Sequence, residues 1–600
     1  MTNIIYLGAA ETNEAPTKAN DTVPAVISDP RPVNADDISL HDPSMPIGYA
    51  LFNGGIYIMP TDDQTSAPIH VCSSLRVDAV FSTKGGKGWG KVISVTNADG
   101  DRQDVHVTNQ ELTRTPNEVL GRLIDHGLEL APGRKAKEQL FSLLKQWKPA
   151  ARMNTVSKLG WADEAHSAFA MPDGAIGSDA IIPMISAAGL GNALTCKGTV
   201  EDWKQAIGEK CRGNPMMILA VSLAFSGPLL SILGIAGGGL HFRGSSSSGK
   251  TTLLTLAASV WGSPELVTQW RATSNGLEGI ASTLNDMLLP LDEIAEISAR
   301  ELPEAIYMLA NGTGKLRMTK AAAANPIASW RLALISSGEI SVEEKLKEAN
   351  KTQMAGQEVR LIDIEADARA YGAFDSLHGS SNASAFSNEL KNAASRSHGE
   401  VGRAFVTYII RNRLQLGSVI TKTVRGIQDK ALSAITGPIS GQVSRVAERF
   451  AVIGVAGELA TTAGIPGWEN GAAMRAALAA FHDWYDRKHG EKDDTAAEFA
   501  QPLKTFIAAN INALCEVGAP MPGGTVVGWK DKTRVYLPPE TWACIYPGVL
   551  GTEAARALIA SNLLYPGEDK RHMKKSSREI PGRPRLYTVN FEGLAQFATI

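Results

Sequence analysis

Apolar positions follow different patterns along the chain, and the changes of pattern divide it into regions. Residues 1–45 have no periodicity and are rich in Asp, Pro, Asn, Thr and Ala, which predicts a disordered leader. Between residues 46 and 190, alternating runs such as "GYALFNGGIYIM" precede helical segments such as "KAKEQLFSLLKQW". Alternation with a period of two is typical of half-buried strands, so this region predicts a small α+β domain.

The second half of the chain changes pattern twice more. Residues 195–384 alternate apolar strand segments with helical segments, which is typical of a parallel sheet covered by helices. Residues 385–510 are rich in Ala, and their apolar positions recur every three or four residues, which predicts a helical region. Residues 520–600 have the order strand, helix, helix and hairpin, which fits a winged helix.

One stretch, residues 216–239, is apolar over a length that would permit a membrane-spanning helix. Gly227 and Pro228 interrupt it, however, and a Gly- and Ser-rich loop follows within a few residues. We therefore expect a buried helix, a turn and a second helix, packed beside the next strand, with no contact to a membrane.

Composition narrows the class of protein. A chain of 600 residues with 44% hydrophobic and 20% charged residues is expected to form roughly three or four soluble folded units. The net charge of −3 excludes a basic nucleic-acid coat protein, so any nucleic-acid site must be local. Five scattered cysteines without a C-x-x-C pair argue against a zinc site and a disulfide framework. With no signal peptide in view, we expect a cytoplasmic protein.

The loop "GSSSSGKT" carries the strongest chemical signal in the sequence. It follows the predicted strand "GLHFRG" and opens the predicted helix "KTTLLTLAASVWG", so a chance Gly/Ser-rich loop is disfavoured. Its backbone N–H groups form a nest for phosphate oxygens, its lysine reaches the β/γ-phosphates, and its threonine hydroxyl binds Mg²⁺. ATP and Mg²⁺ are the predicted ligands, and the predicted nucleotide-binding residues here are Gly244, Ser245, Ser246, Ser247, Ser248, Gly249, Lys250, Thr251 and Thr252.

Two acids end the apolar strand segment "MLLPLDEI". Asp292 is placed to hold Mg²⁺ through water, and Glu293 is placed to polarise the attacking water. The predicted metal ligands are therefore Thr251 and Asp292. Such a pair of acids after a buried strand is typical of hydrolysing ATPases rather than of small-molecule kinases. The alternative, an ordinary turn at a strand end, is disfavoured by the phosphate loop upstream.

Further polar residues are candidates for contact with the γ-phosphate. Ser336 and Ser337 end the strand segment "LALISSGE", and Ser336 is preferred as a phosphate sensor, with a turn-capping hydroxyl as the alternative. Arg360 is predicted to be an arginine finger that reaches a neighbouring subunit's site. Arg445, on the same predicted helix as Arg449, is a candidate second sensor. A surface ion pair is the alternative for each arginine.

These segments resemble a known family. The phosphate loop with "NGLEGIASTLNDMLLPLDEI", "YMLANGTGKLRM", "WRLALISSGE", "RLIDI" and "RVAERFAVIGVAGELA" is similar to the family called domain of unknown function 927, over most of residues 46–510. The resemblance implies an AAA+ motor of phages and mobile elements, like self-loading replicative helicases that form hexamers. Many relatives carry a primase module upstream. Only a short leader lies there in this sequence, so the resemblance does not imply primase activity. The chain departs from relatives at Ser248, where we expect no consequence because backbone N–H groups bind the phosphates.

With this resemblance, the predicted fold is α/β. It comprises a leader (1–45), an N-terminal α+β domain (46–190), an AAA+ P-loop core (195–384), a helical lid region (385–510) and a winged-helix-like domain with a basic hairpin (520–600). The predicted activity is that of a Mg²⁺-dependent ATPase and DNA helicase acting in replication of a phage or mobile element. Its predicted partners are single-stranded and forked DNA, further copies of itself in a ring of six, and primase or other replication proteins.

DNA contacts are predicted at two basic segments. Lys315, Arg317 and Lys320 lie in the segment before the sensor strand, where related motors carry a pore hairpin, and six copies would present a ring of positive charge. The second is the C-terminal segment "KRHMKKSSREIPGRPR", where the predicted contacts are Lys574, Lys575 and Arg578. The alternative for both is a solvated loop with ordinary lysines.

Outside these segments, Trp89 and Trp161 could stack on bases, although aromatic residues of a small β core are more often buried. Two other functions stay open at this stage. One is an ATP-dependent switch or initiator that binds DNA without processive unwinding. The other is a protein remodeller, which the absence of an aromatic pore loop in "GTGKLRMTK" disfavours.

Overall fold

The computed structural model divides the chain into two compact units. The first contains residues up to 191 with 282–285 and 406–413, and the second contains 192–281, 286–405 and 414–600. The structure describes residues 42, 44–52, 54–60, 67–185, 192–315, 327–349, 355–435, 439–520, 526–567 and 571–596.

The described residues of the first unit form three small sheets and three helices, together with short parts of two helices from later in the chain. β1, β2 and β3 form one antiparallel sheet, β8, β9 and β10 another, and the third has the order β11-β7-β4-β5-β6, with β7 parallel to β4 and β11. The strands are β1 Tyr49–Phe52, β2 Gly55–Ile58, β3 Ile69–Cys72, β4 Leu75–Thr83, β5 Gly90–Thr96, β6 Arg102–Thr108, β7 Arg152–Val156, β8 Gly160–Trp161, β9 Phe169–Met171, β10 Gly174–Ile176 and β11 Ile181–Pro183. The helices are α1 Glu111–Arg114, α2 Pro116–Asp125 and α3 Arg134–Gln146.

The second unit is built around a five-stranded sheet with the order β13-β14-β15-β12-β16, in which every pair is parallel. All carboxyl ends of its strands therefore meet at one edge, where ligands of open α/β sheets bind. Its strands are β12 Gly238–Arg243, β13 Thr268–Gln269, β14 Met287–Asp292, β15 Leu332–Gly338 and β16 Leu361–Glu365. The helices of this region are α4 Val200–Trp203, α5 Pro215–Leu233, α6 Lys250–Ala258, α7 Ser274–Thr283, α8 Leu302–Asn311, α9 Val342–Lys347 and α10 Ala355–Glu358.

Helices follow the sheet, and a small mixed region ends the chain. The helices are α11 Ala383–Arg396, α12 Glu400–Ser433, α13 Gly441–Thr462 and α14 Ala472–Asn510. The last region contains β17 Cys515–Glu516, β18 Trp529–Lys530, β19 Arg534–Leu537, α15 Pro539–Ile545, α16 Leu550–Ala560, β20 Leu564–Tyr565, β21 Lys574–Lys575, β22 Arg585–Asn590 and α17 Phe591–Gln596. It has its own apolar core, to which the end of α14 contributes Ala500, Leu503 and Ile507.

The apolar stretch before the phosphate loop forms one helix, α5, which corrects the prediction of two helices separated by a turn. Pro228 lies inside α5 and leaves the Ala224 carbonyl without its helical donor. The indole N–H of Trp261 donates to that carbonyl at 2.9 Å, so the helix continues. A Cβ atom on Gly227 would lie 2.8 Å from the Met287 carbonyl oxygen, so glycine permits close packing against β14.

Helix α5 is long and apolar enough to cross a membrane by length and composition. Within the protein, however, 83% of its most apolar window is buried. A core helix of a large unit accounts for such a sequence as well as a membrane span does.

We expect Trp261→Phe to destabilise the second unit because it leaves the buried Ala224 carbonyl unpaired, at a cost of about 1–3 kcal/mol. Trp203→Phe is the matched control, since this equally buried indole donates to Ser259 Oγ at 2.9 Å and not to a helix carbonyl. Thermal unfolding should give a lower midpoint for Trp261→Phe than for Trp203→Phe. Equal midpoints would show that the bond to Ala224 does not maintain α5.

Candidate active site

The predicted phosphate loop, residues 244–249, joins the carboxyl end of β12 to the first residue of α6. Gly249 has φ +98°, and a Cβ atom there would lie 3.0 Å from the Phe374 ring, so the loop needs glycine at this turn. Lys250 is buried, and its Nζ donates to the carbonyl oxygens of Gly244 at 2.9 Å and Ser245 at 2.6 Å. The lysine thus lies across its own loop, at the place where phosphates are predicted to bind.

The remaining loop residues differ in exposure. Ser245, Ser246 and Ser247 are exposed at the turn, whereas Ser248 is buried. Thr252 is buried in α6, and its hydroxyl donates to Ser387 Oγ at 3.2 Å, so only its backbone N–H could reach a phosphate.

The segment 366–374 covers the loop, a feature that the sequence analysis missed. Asp367 accepts hydrogen bonds from the Ser245 backbone N–H at 2.6 Å and the Ser245 hydroxyl at 2.8 Å. Ala373 N–H donates to the Ser248 carbonyl at 2.7 Å. Burial raises the pKa of Asp367, but the bonds from Ser245 and the charge of Lys250 outweigh it, so that the pKa lies below its usual value. The only sequence signal was an acid soon after β16.

The predicted metal ligands lie close together. Thr251 Oγ1 donates to Asp292 Oδ2 at 3.3 Å, although the two residues come from α6 and β14. A hydroxyl and a carboxylate are the hard oxygen donors that Mg²⁺ takes, so this pair fits the predicted ion. In the described part of the chain, no group of three or more His, Cys, Asp or Glu side chains could hold a metal ion.

Glu293 follows directly, in a conformation that is uncommon for a side-chain-bearing residue. Its φ is +57°, and its carboxylate accepts the Ala295 N–H at 3.3 Å. Its own N–H lies 3.5 Å from Ser337 Oγ. A strained backbone held by neighbouring contacts is frequent at functional sites, because it fixes the direction of one side chain.

Of the two candidate sensor hydroxyls, the structure brings Ser337 to the site and not the preferred Ser336. The hydroxyl of Ser337 donates to Asp292 Oδ1. Ser336 points to the opposite face of β15, since successive side chains of a strand alternate. It is buried there, accepts the Trp270 indole N–H at 2.8 Å, and lies 2.9 Å from His241 Nδ1.

His241 completes this buried polar chain. Its Nε2 lies 3.0 Å from the Ile340 carbonyl, which can only accept, so the proton is on Nε2 and Nδ1 accepts from the Ser336 hydroxyl. Burial lowers the pKa of His241, consistent with this neutral form. This series of hydrogen bonds, from Trp270 through Ser336 and His241 to Ile340, holds the end of β15 in place and so fixes the direction of the Ser337 side chain.

The candidate arginines lie away from the phosphate loop of their own chain. Arg360 precedes β16, at the amino edge of the sheet, where its Nε donates to Asn311 Oδ1 at 2.9 Å and its guanidinium lies 4.7 Å from the Tyr307 ring centroid. Arg445 is exposed on α13 and bonds to its own helix. Arg449 donates to the carbonyls of residues 236 and 237, which is a structural role before β12.

The first basic segment is described only in part. Lys315 forms an ion pair with Glu304 at 2.9 Å, whereas Arg317 and Lys320 lie outside the described residues. The described residues on either side are joined by an antiparallel bridge between Thr313 and Ser329.

The C-terminal segment contains a short exposed strand. Lys574 and Lys575 form β21, which pairs with β22, and Arg578 is exposed in the following turn. Lys574 Nζ lies 6.0 Å from the Tyr565 ring centroid. The guanidinium of Arg534, at the start of β19, lies 5.1 Å from the same centroid. The three predicted contact residues therefore share one accessible surface segment.

Comparison with known proteins adds two findings. The family described as "Domain of unknown function (DUF927)" matches residues 51–328, which include the phosphate loop and the Asp292–Glu293 pair. The solved structure described as "SCCmec type IV Cch - active helicase" superposes with a TM-score of 0.59 at 19% identity, over 91% of this chain and 99% of that one. The chain shares that fold. No curated protein matches it.

At this identity the similarity concerns the fold. It extends over nearly all of both chains. The family match ends before β15 and therefore does not include Ser337 or Arg360.

Proposed function

We propose that this protein is a Mg²⁺-dependent ATPase that translocates on single-stranded DNA and unwinds duplex DNA in the replication of a mobile element. The observation that carries the proposal is the 3.3 Å contact between Thr251 and Asp292 beside the buried Lys250, at the carboxyl edge of a parallel sheet. A likeness of fold to a structure described as an active helicase supports the choice of motor.

Each residue of the site has a proposed role. The loop N–H groups and Lys250 hold the phosphates, and Lys250 exchanges its bonds to the loop carbonyls for phosphate oxygens. Thr251 and Asp292 hold Mg²⁺, which offsets phosphate charge when bound. Glu293 orients and polarises the attacking water, and Ser337 holds Asp292 and Glu293 in position.

The proposed assembly is a ring of six copies in the cytoplasm, with primase or other replication proteins as further partners. ATP would lie between copies, and the neighbour would supply a cation to the γ-phosphate. Arg360 remains the proposed finger; to act, it would exchange its bond to Asn311 for a phosphate oxygen. Arg445, which is exposed, remains the proposed second sensor.

DNA would contact the hairpin that contains Lys315, Arg317 and Lys320, and the winged-helix-like region through Lys574, Lys575 and Arg578. The antiparallel base at Thr313 and Ser329 supports a hairpin in this place. Both contacts would be to phosphates, because lysine and arginine side chains bind the DNA backbone without sequence preference.

ATP hydrolysis by purified protein, with and without single-stranded DNA, tests the proposal. We expect turnover to rise at least about tenfold with DNA and Lys250→Ala to abolish it, because the lysine is needed to hold the phosphates. The Lys250→Ala control shows that turnover belongs to this site. Turnover that is indifferent to DNA would contradict a DNA motor and favour a protein remodeller, and tight ATP binding without turnover would favour a switch.

A further inference from the structure

The first unit has an open cleft of about 330 Å³ whose charged lining is entirely basic. It is bounded by the end of α3, the start of β7 and the residues just after β6. Its charged residues are Lys91, Lys145, Lys148 and Arg152, and its remaining lining is Val80, Asn109, Leu112 and Thr113.

Three of these cations have no carboxylate partner in the described part of the unit. Two acids close in sequence to the lining, Asp78 and Glu111, are paired with Arg102 and Arg122, each at 2.7 Å. Lys145, Lys148 and Arg152 are exposed instead. Like charges gathered around one concave surface raise its potential and attract an anion.

The fourth cation, Lys91, has a different role. It is buried, and its Nζ donates to the carbonyl oxygens of Leu144, of Lys145 at 3.1 Å and of Trp147 at 2.6 Å. These carbonyls end α3, where the helix dipole would place partial negative charge. Lys91 offsets that charge, so the end of α3 does not repel an anion in the cleft.

An exposed aromatic ring lies at the same surface. The side chain of Trp89 is 45% exposed, and the Arg152 guanidinium lies 5.8 Å from its ring centroid. Its indole N–H is already bonded to the Gly86 carbonyl at 2.9 Å, so the exposed part is the apolar ring. Trp161 differs: it is buried against Phe169 and cannot stack on a ligand.

We infer that this cleft binds a single-stranded nucleic acid, with Lys145, Lys148 and Arg152 on its phosphates and Trp89 stacked on a base. Cations beside an exposed ring match the single strand, whose bases present open faces. The bases of a duplex are already stacked on one another, so a duplex would contact the cations and not the ring. The inference does not rest on the proposed ATPase, because all residues lie in the first unit.

The inference is tested by measuring how the full chain, without ATP, binds fluorescently labelled oligo-dT and oligo-rU, with anisotropy as the signal. The oligonucleotides are roughly 20 nucleotides long, which exceeds the site size of a typical single domain. We expect Lys145→Ala/Lys148→Ala to weaken binding about tenfold and to reduce the salt slope by about 1.4, since two phosphate contacts are lost. Trp89→Ala should weaken binding about tenfold with an unchanged slope. Comparison of the two oligonucleotides distinguishes DNA from RNA.

The matched control is Lys135→Ala/Lys137→Ala, which removes the same charge from the first turns of α3. Equal losses in the cleft variant and the control would overturn the inference, as would an unchanged affinity in the cleft variant. A Trp89→Ala variant that binds like wild type would overturn the stacked single strand in favour of a duplex or another polyanion. ATP turnover measured without DNA does not need the cleft, so it checks that each variant is folded. If the proposed ATPase function is wrong, this turnover is absent in every variant, whereas oligonucleotide binding is unaffected.

Discussion

Glu293→Gln should lower ATP turnover about 10²–10³-fold while ATP still binds with nearly its original affinity. The amide cannot accept a proton from the attacking water, and contributions of this kind are worth about 10²–10⁴-fold. Glutamine can still accept the Ala295 N–H through its amide oxygen, so the turn at φ +57° is kept. Steady-state hydrolysis and equilibrium binding of a labelled ATP analogue measure the two effects separately.

Glu296→Gln is the control for this experiment, because the same substitution is made three residues later at an exposed position of the same short helical segment. It should leave turnover within about twofold, as surface substitutions usually do. If Glu293→Gln weakened ATP binding and turnover equally, Glu293 would act on the nucleotide and not on the water. If both glutamine variants hydrolysed ATP at the original rate, the active site would have to be elsewhere.

The parts of the site that are contiguous in sequence were predictable, because their geometry is local. The phosphate loop depends on a strand, a glycine turn and a helix that follow one another, and Asp292 and Glu293 end a recognisable apolar strand. The alternation of strands and helices also predicted that β12 and β14 lie in one parallel sheet. Their carboxyl ends then had to meet, and Thr251 and Asp292 do lie within 3.3 Å.

The parts that depend on distant contacts could not be predicted. Both Ser336 and Ser337 end an apolar strand, and only the face that each side chain takes in the folded sheet distinguishes them. The continuous α5 depends on Trp261, which is far from Pro228 in sequence. Asp367 carries no motif, and its place on the phosphate loop comes from the register of β16 beside β12.

Other contacts between residues far apart in sequence connect the region of the phosphate loop to the end of the chain. Helix α14 carries three ion pairs to β16 and its flanking residues, and its last turns enter the core of the C-terminal region. The pairs are Arg369–Asp483 at 3.0 Å, Lys488–Glu358 at 3.2 Å and Arg487–Glu365 at 3.9 Å. Each is weak alone. Together they join α14 to the residues around β16, while its last turns lie in the core of the C-terminal region.

Ser337→Ala and Ser336→Ala should have opposite consequences, although the residues are neighbours. Ser337→Ala removes the hydroxyl that donates to Asp292 and faces the Glu293 N–H, so we expect kcat to fall about 10²-fold with little change in stability. Ser336→Ala leaves the buried Trp270 indole N–H unpaired, so we expect a loss of about 1–3 kcal/mol in the free energy of unfolding. ATP turnover per folded molecule should then stay near wild type.

Comparing the two variants by turnover and by thermal unfolding decides which hydroxyl serves the active site. Each variant is the control for the other, because both lose one hydroxyl from the same strand, β15. A large loss of kcat in Ser336→Ala with normal stability would return the sensor role to Ser336. It would require the bonds to His241 and Trp270 to break when ATP binds, which is costly because the Trp270 indole N–H and the His241 ring nitrogen are both buried. The buried hydrogen bonds of Ser336 to Trp270 and His241 therefore favour Ser337 as the sensor on energetic grounds as well as by position.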